Sequence, residues 1–541
     1  MKLFRNLFTL FVSLYFSLCT ANSQLTETER LDILKNLDIY NSVFKELSLY
    51  FVDSIAFEKT IHENIDFMLQ RLDPYTEYIP EEEMSDFMLQ TTGEYGGIGA
   101  IINSDSTKIF ISEPYEGMPA AEAGLIAGDV LLEINGESLA NKKSDFASER
   151  LKGRPNTKVK IKYRRIGEWT REETITRRLI EINPVTYYGV LPSNIGYICL
   201  SSFTTHSARS VRDAINDLKQ NRGITSLIID LRDNSGGVVE DCIEILNLFI
   251  PRGQTLLTMK SKAPLPDKVF RTLQDAVEPE MPVAVLVNQM SASASEIFAG
   301  AMQDLDRGTV IGNRTFGKGL VQTSRPLPYN GQLKLTVAKY YIPSGRCIQA
   351  INYSHRNEDG SVSNIPDSLT HIFHTAKGRE VKDGGGITPD IIVENKQLPT
   401  MLYYLDGQNI FFNFAVEWRQ KHPKIDSPET FVLSEETYLE FISYVKSKDF
   451  KYDIQSEKAL DRLKEIMKLE GYMDTAADEF KALENLLKPD LERDLYLYRD
   501  QISDFLSTEI MRQYYLAKGE IIYSLRNDDG VKKATEVLTG R

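Results

Sequence analysis

Cysteine and histidine are scarce in this chain. Only four cysteines (Cys19, Cys199, Cys242 and Cys347) and six histidines occur among 541 residues. No two cysteines have CxxC spacing, which excludes a disulfide framework or a cysteine-ligated zinc site as the organising feature. His371 and His374 stand three apart without an evident third ligand. None of these two, His62, His206, His355 and His422 lies in a recognisable Ser–His motif. The sequence therefore calls for no metal and no cofactor. Positive charge is also short: 63 Lys and Arg face 77 Asp and Glu, a net charge of −14. That balance argues against nucleic acid, or an anionic membrane, as the partner of the whole chain. Past the N-terminus, no stretch is long and apolar enough to span a bilayer.

What is present is a large globular chain. Hydrophobic residues make up 42%, and the length calls for three or four domains. Lys2 and Arg5 precede an apolar run over residues 7–18, and small residues follow at Ala21 and Ser23. This is a secretory signal pattern over residues 1–23, with an uncleaved membrane anchor as the alternative. Export is expected, to a periplasm or in association with a membrane. Large exported domains can do without disulfides.

Four regions follow. Residues 24–85 read as an N-terminal helical module, with Leu34, Leu37, Tyr40, Val43, Phe44 and Leu47 at helical spacing and a break at Asp73-Pro74-Tyr75. Packing or dimerisation is the reading preferred for it. Residues 86–180 read as a small β-rich domain. Gly96-Gly97-Ile98-Gly99 opens a strand, Asn135-Gly136 is a hairpin signal, and Val159, Ile161 and Tyr163 alternate as a half-buried strand. Successive N–H groups around those first glycines make a concave nest that suits a terminal carboxylate. A Gly-Gly-x-Gly alone would be an ordinary turn; the downstream pattern reverses that preference. Residues 181–395 alternate strand and helix, as an α/β unit with repeated crossovers. Residues 396–541 are mostly helical and carry no chemical motif, so a regulatory or interaction module is the default.

Three segments of the α/β unit carry chemistry. Ser291-Ala-Ser-Ala-Ser-Glu296 follows an apolar strand and opens a helix. Taken alone, Ser291, Ser293 and Ser295 read as N-cap residues. Thr315-Phe-Gly-Lys-Gly-Leu-Val-Gln322 places Lys318 between two glycines in apolar surroundings. Burial without a carboxylate partner would lower its pKa from ~10.4 by the roughly three units a neutral base needs. Gln322 is a neutral group able to orient the amine. Asp230-Leu-Arg-Asp-Asn-Ser-Gly-Gly237 closes another apolar strand, so its glycine N–H groups can face the same crevice.

Together with Leu72-Asp-Pro-Tyr-Thr-Glu-Tyr78 and Gly124-Leu-Ile-Ala-Gly-Asp-Val-Leu-Leu-Glu-Ile-Asn-Gly136, these segments resemble the carboxy-terminal processing peptidases, or tail-specific proteases. The resemblance spans residues from about 60 to 395, with its motifs in family order. The small β-rich domain resembles a PDZ domain of the permuted bacterial kind. Asn156 stands where glycine is frequent, and asparagine tolerates the left-handed conformation. The resemblance implies a crotonase-like serine protease core with an inserted PDZ-like domain; with the helical terminal modules read from the pattern, the expected architecture is multidomain α/β (α+β). It implies Ser293 as nucleophile, Lys318 as general base and Gln322 as its orienting residue. The oxyanion donors fall on the backbone of Ala294 and of Gly236 or Gly237. Gly96, Gly97, Ile98 and Gly99 would hold a peptide C-terminus. The expected activity is endoproteolysis of proteins or peptides with free, apolar C-termini. A homo-oligomer through the helical modules and a regulatory protein partner are compatible with this organisation. A catalytically silent PDZ scaffold is the alternative; a thioester enzyme of crotonase type is opposed by the Ser–Lys pair and the PDZ-like domain.

Overall fold

A computed structural model describes residues 26–262, 266–357, 360–394, 397–453 and 455–540. Residues 1–25, on which the signal reading falls, lie outside this set. At the centre is a six-stranded sheet, Val185–Leu191, Ile195–Leu200, Ser226–Asp230, Val283–Val287, Thr309–Gly312 and Ile391–Ile392 in spatial order. The first pair is antiparallel and the rest are parallel. Ser226–Asp230 and Val283–Val287 are buried at every residue, as expected of apolar runs covered on both faces. Helices Ser207–Gln220, Val239–Leu246 and Ala294–Asp304 cover one face. The last helix, Asp529–Thr539, covers the other, setting Val531 and Ala534 against Ile228, Leu286 and Ile311.

The register sets the site. Asp230 pairs with Leu286, so these parallel strands end side by side. The turns that follow them, 231–237 and 288–293, leave the same edge of the sheet, where α/β folds place their ligands. A second, antiparallel sheet adjoins this edge. Its long strand Gln332–Tyr341 pairs with Leu320–Pro326, Thr255–Ser261 and Glu77–Ile79.

Glu77–Ile79 departs from the helical reading of residues 24–85. After helices Glu27–Tyr50 and Phe57–Gln70, the Asp73 carboxylate accepts from the N–H groups of Tyr75 and Thr76 and from the Thr76 hydroxyl. That Asx-type turn diverts the chain into a strand of the core.

The β-rich domain is a sheet of Ala100–Ser104, Ile109–Pro114, Val130–Ile134, Lys158–Arg164 and Thr170–Thr176, packed on helix Ser144–Leu151. Both hairpin residues have positive φ, 52° at Asn135 and 82° at Gly136, as a type I′ turn requires. Asn156 adopts φ +68°. Helices Thr400–Gly407, Ile410–Lys421, Glu435–Lys446, Leu491–Leu497 and Arg499–Leu525 share a core that includes Phe411, Phe441, Leu506 and Ile510. Helix Ile410–Lys421 also docks the β-rich domain: Phe412 stacks on Phe110 with centroids 4.8 Å apart, and Lys108 Nζ donates to Asn413 Oδ1 at 2.9 Å.

Candidate active site

Ser293 is the last residue before helix Ala294–Asp304 and takes φ 55°, ψ −113°. This is a costly backbone for a residue with a Cβ, of order 1–3 kcal/mol, and such strain persists only where surroundings over-determine it. The surroundings do. The neighbouring Ser291 hydroxyl donates to the Leu231 carbonyl at 2.7 Å, and Ser295 Oγ donates to the Asn234 carbonyl at 2.8 Å. Both of these serines are fully buried, whereas Ser293 is half-exposed. The Ala292 N–H donates to the Asn234 carbonyl, lacing the 288–293 turn to the 231–237 turn.

Glu296, one turn into the helix and fully buried, joins this turn to the lysine loop. Its carboxylate accepts from the N–H groups of Ser293 (2.9 Å), Gly317 (2.7 Å) and Lys318 (2.9 Å), and from the Thr315 hydroxyl (2.6 Å). Burial pushes its pKa up to about 7, against the lowering effect of those four donors. The Tyr340 hydroxyl reinforces the tie, donating to the Lys318 carbonyl at 2.6 Å and lying 3.3 Å from that of Ser293.

Burial is the first cause, and Lys334 the second, that hold the Lys318 ammonium down at about 8. Asp73, Glu296 and Glu77 oppose that shift without cancelling it. Lys318 Nζ stands over the Tyr75 ring, 4.3 Å from its centroid. Among the described residues no hydrogen bond joins Nζ to Ser293 Oγ. The Gln322 amide donates to Thr336 Oγ1 at 3.1 Å, not to the lysine. Thr336 Oγ1 is in turn 3.2 Å from Asp73, so the 73–76 turn reaches the same corner.

The proposed oxyanion donors divide. Gly236 N–H is spent on Asn234 Oδ1 at 2.9 Å. The Gly237 and Ala294 N–H groups have no hydrogen-bond partner among the described residues, and Gly237 itself lies against Phe203. The approach is tight: a Cβ on Gly236 would stand 2.6 Å from the Ala292 carbonyl oxygen and 2.8 Å from Ser293 Cβ.

At the other expected site, Gly96 and Gly97 lie in strand Glu94–Gly97, paired with Arg178–Glu181. Ile98 turns into the domain core, and Gly99 takes φ +73°. The Tyr95 ring folds over Gly97, whose Cβ would meet it at 2.7 Å.

Sequence reading missed Glu296, Tyr340, Asn234 and Asp73 as site residues. Glu296 carried a signal, since Ser293-x-x-Glu296 is a capping-box pattern. Tyr340 and Asn234 carried none, because their contacts are set by tertiary register.

Comparison with known proteins identifies the family. Residues 194–354 match peptidase family S41, residues 110–165 a PDZ domain, and residues 401–538 the family described as a probable PDZ-protease, C-terminal helical domain. A carboxy-terminal-processing protease of Bartonella bacilliformis is 33% identical over 344 residues, covering 63% of this chain and 79% of the relative. A probable CtpA-like serine protease of Staphylococcus aureus is 29% identical over 437 residues, covering 79% and 85%. The solved photosystem II D1 C-terminal processing protease is 26% identical, with 67% of this chain and 89% of that one covered and a TM-score of 0.36. The matched regions define a serine-type peptidase that carries a PDZ domain. The chain belongs to peptidase family S41, among the carboxy-terminal-processing proteases.

Proposed function

We propose that this protein is an exported serine endopeptidase that takes the C-terminal end of a protein or peptide in its PDZ domain and cleaves upstream of it. Neutral Lys318 removes the proton from Ser293 Oγ as Oγ adds to the scissile carbonyl. The oxyanion receives the N–H groups of Gly237 and Ala294, and the resulting ammonium protonates the leaving amine. Water then hydrolyses the acyl-serine, with Lys318 again acting as base. Gln322, in the strand Leu320–Pro326 that begins two residues after Lys318, orients the lysine once its amide turns from Thr336. The lysine–serine contact closes on substrate binding, as catalytic hydrogen bonds often do. The core is of crotonase-like type, and the Gly96–Gly99 region binds the peptide carboxylate.

The observation that carries this reading is the Glu296 carboxylate. It fixes the Ser293 and Lys318 backbones to one point without contacting Lys318 Nζ, so the amine keeps a lowered pKa. A self-association reading has its own support: helix Glu27–Tyr50 buries no residue and exposes Leu31, Leu34, Leu37 and Val43. Unfolded casein incubated with the wild-type protein and with Ser293→Ala tests the reading. Cleavage by the first and none by the second is expected; cleavage by neither would favour the silent scaffold.

A further inference from the structure

One side chain of the C-terminal helices reaches the root of the active site. Asp528 caps helix Asp529–Thr539, accepting from the Val531 N–H at 2.9 Å. Its other oxygen lies 2.7 Å from Arg232 Nη1. The Arg232 guanidinium also grips Asp230, with Nη2 2.5 Å from Oδ2 and Nε 3.0 Å from both oxygens. The Tyr197 hydroxyl donates to the same carboxylate at 2.7 Å. Asp230 is buried and ends the central strand. The chain turns from it through Asp233 at φ +60° to Asn234 and then to Gly236 and Gly237. Asp233 and Asn288 exchange hydrogen bonds, 3.0 Å to the Asp233 N–H and 2.9 Å to its carboxylate, so displacement of one turn moves the other.

We infer that Asp528 is a positioning residue for the peptidase reaction, and that the C-terminal helical module is thereby part of the catalytic scaffold. Arg232 is shared between two carboxylates from distant parts of the chain. With Asp528 charged, the guanidinium is held against the end of the strand and the Asp230–Arg232 pair keeps one geometry. Without that charge, Arg232 retains one anionic partner and can re-aim toward solvent. The turn it anchors carries the Gly237 N–H, and a donor displaced by a fraction of an ångström loses much of its effect on an oxyanion. The last helix supplies the rest of the anchorage by packing Val531 and Ala534 on the sheet.

The inference rests on Ser293 and the Gly237 N–H as catalytic groups. The test compares Asp528→Asn and Asp528→Ser with Asp529→Asn in the full-length protein. Asparagine and serine both preserve the helix cap, while each removes the anionic oxygen that faces Arg232. Turnover of a peptide substrate, labelling rate with a serine-directed phosphonate and folded fraction by circular dichroism are read together. Both Asp528 variants should lose about tenfold to about a hundredfold in kcat, with KM nearly unchanged. Phosphonate labelling should slow in parallel, folded fraction should hold, and Asp529→Asn should match wild type. Unchanged kcat in the Asp528 variants would overturn the inference. So would a loss confined to KM, one that merely tracks folded fraction, or one shared equally by Asp529→Asn. Failure of the underlying assignment would look different, because Ser293→Ala would then still react with the phosphonate.

Discussion

Ser293 and Lys318 are suited to their proposed roles less by their own chemistry than by what surrounds them. Lys318 is an ordinary lysine until burial removes water from its ammonium, and the absence of a carboxylate touching Nζ leaves that cost unpaid. Because its pKa is lowered to about 8, the proton leaves as pH rises through that value. kcat/KM should therefore rise with pH and level off above about 8. Lys318→Ala and Lys318→Arg should both be inactive, since a guanidinium does not give up its proton in this range. A pH–rate profile for the wild type and end-point assays for the variants check this; an active arginine variant would contradict it. Tyr340→Phe should be a milder lesion. It leaves the Lys318 carbonyl without its buried donor, at a cost of about 1–3 kcal/mol in denaturant unfolding, with activity lowered but retained.

At the scale of the element, three serines in one short run do different work. Ser291 and Ser295 are buried bolts between two turns, and Ser293 alone is left half-exposed on a strained backbone. Ser291→Ala and Ser295→Ala should lower thermal stability by about 1–3 kcal/mol each while sparing most of the proteolytic activity. Calorimetry beside a peptide assay separates the two effects. The strand–turn–helix order of this segment was legible from the apolar run and the small residues after it. The choice of Ser293 over its neighbours came from the family resemblance alone; the run of three serines does not make it, because which hydroxyl finds a carbonyl across the sheet edge is set by tertiary register. The same limit applies to Glu77–Ile79. Its three residues are too few to show a period, and the Asp73 turn that creates the strand is a local device whose partner strand lies more than 250 residues away.

For the whole molecule, the modules are interlocked rather than strung along the chain. The C-terminal helices seat the PDZ domain through Phe412 on Phe110 and close one face of the protease sheet through Val531 and Ala534. The sequence showed these helices by their periodicity but gave no hint of the contacts, which depend on exposed-looking apolar positions meeting after the chain has folded. The PDZ pattern was the most legible part, since its turns require particular residues at particular positions, as at Asn135 and Gly136. The proposed carboxylate site there predicts that one peptide with a free, apolar C-terminus is cleaved faster than its amidated form at concentrations well below saturation. Equal rates would mean that the domain does not read chain ends.

The pairing of Ser293 as nucleophile with Lys318 as its base is checked by treating the protein with a serine-directed phosphonate and locating the adduct by peptide mass mapping across a pH series. The account predicts a single adduct on Ser293, formed faster as pH rises through about 8, absent in Ser293→Ala and strongly slowed in Lys318→Ala. An adduct on another residue, or unchanged labelling of Ser293 when Lys318 is replaced, would contradict it.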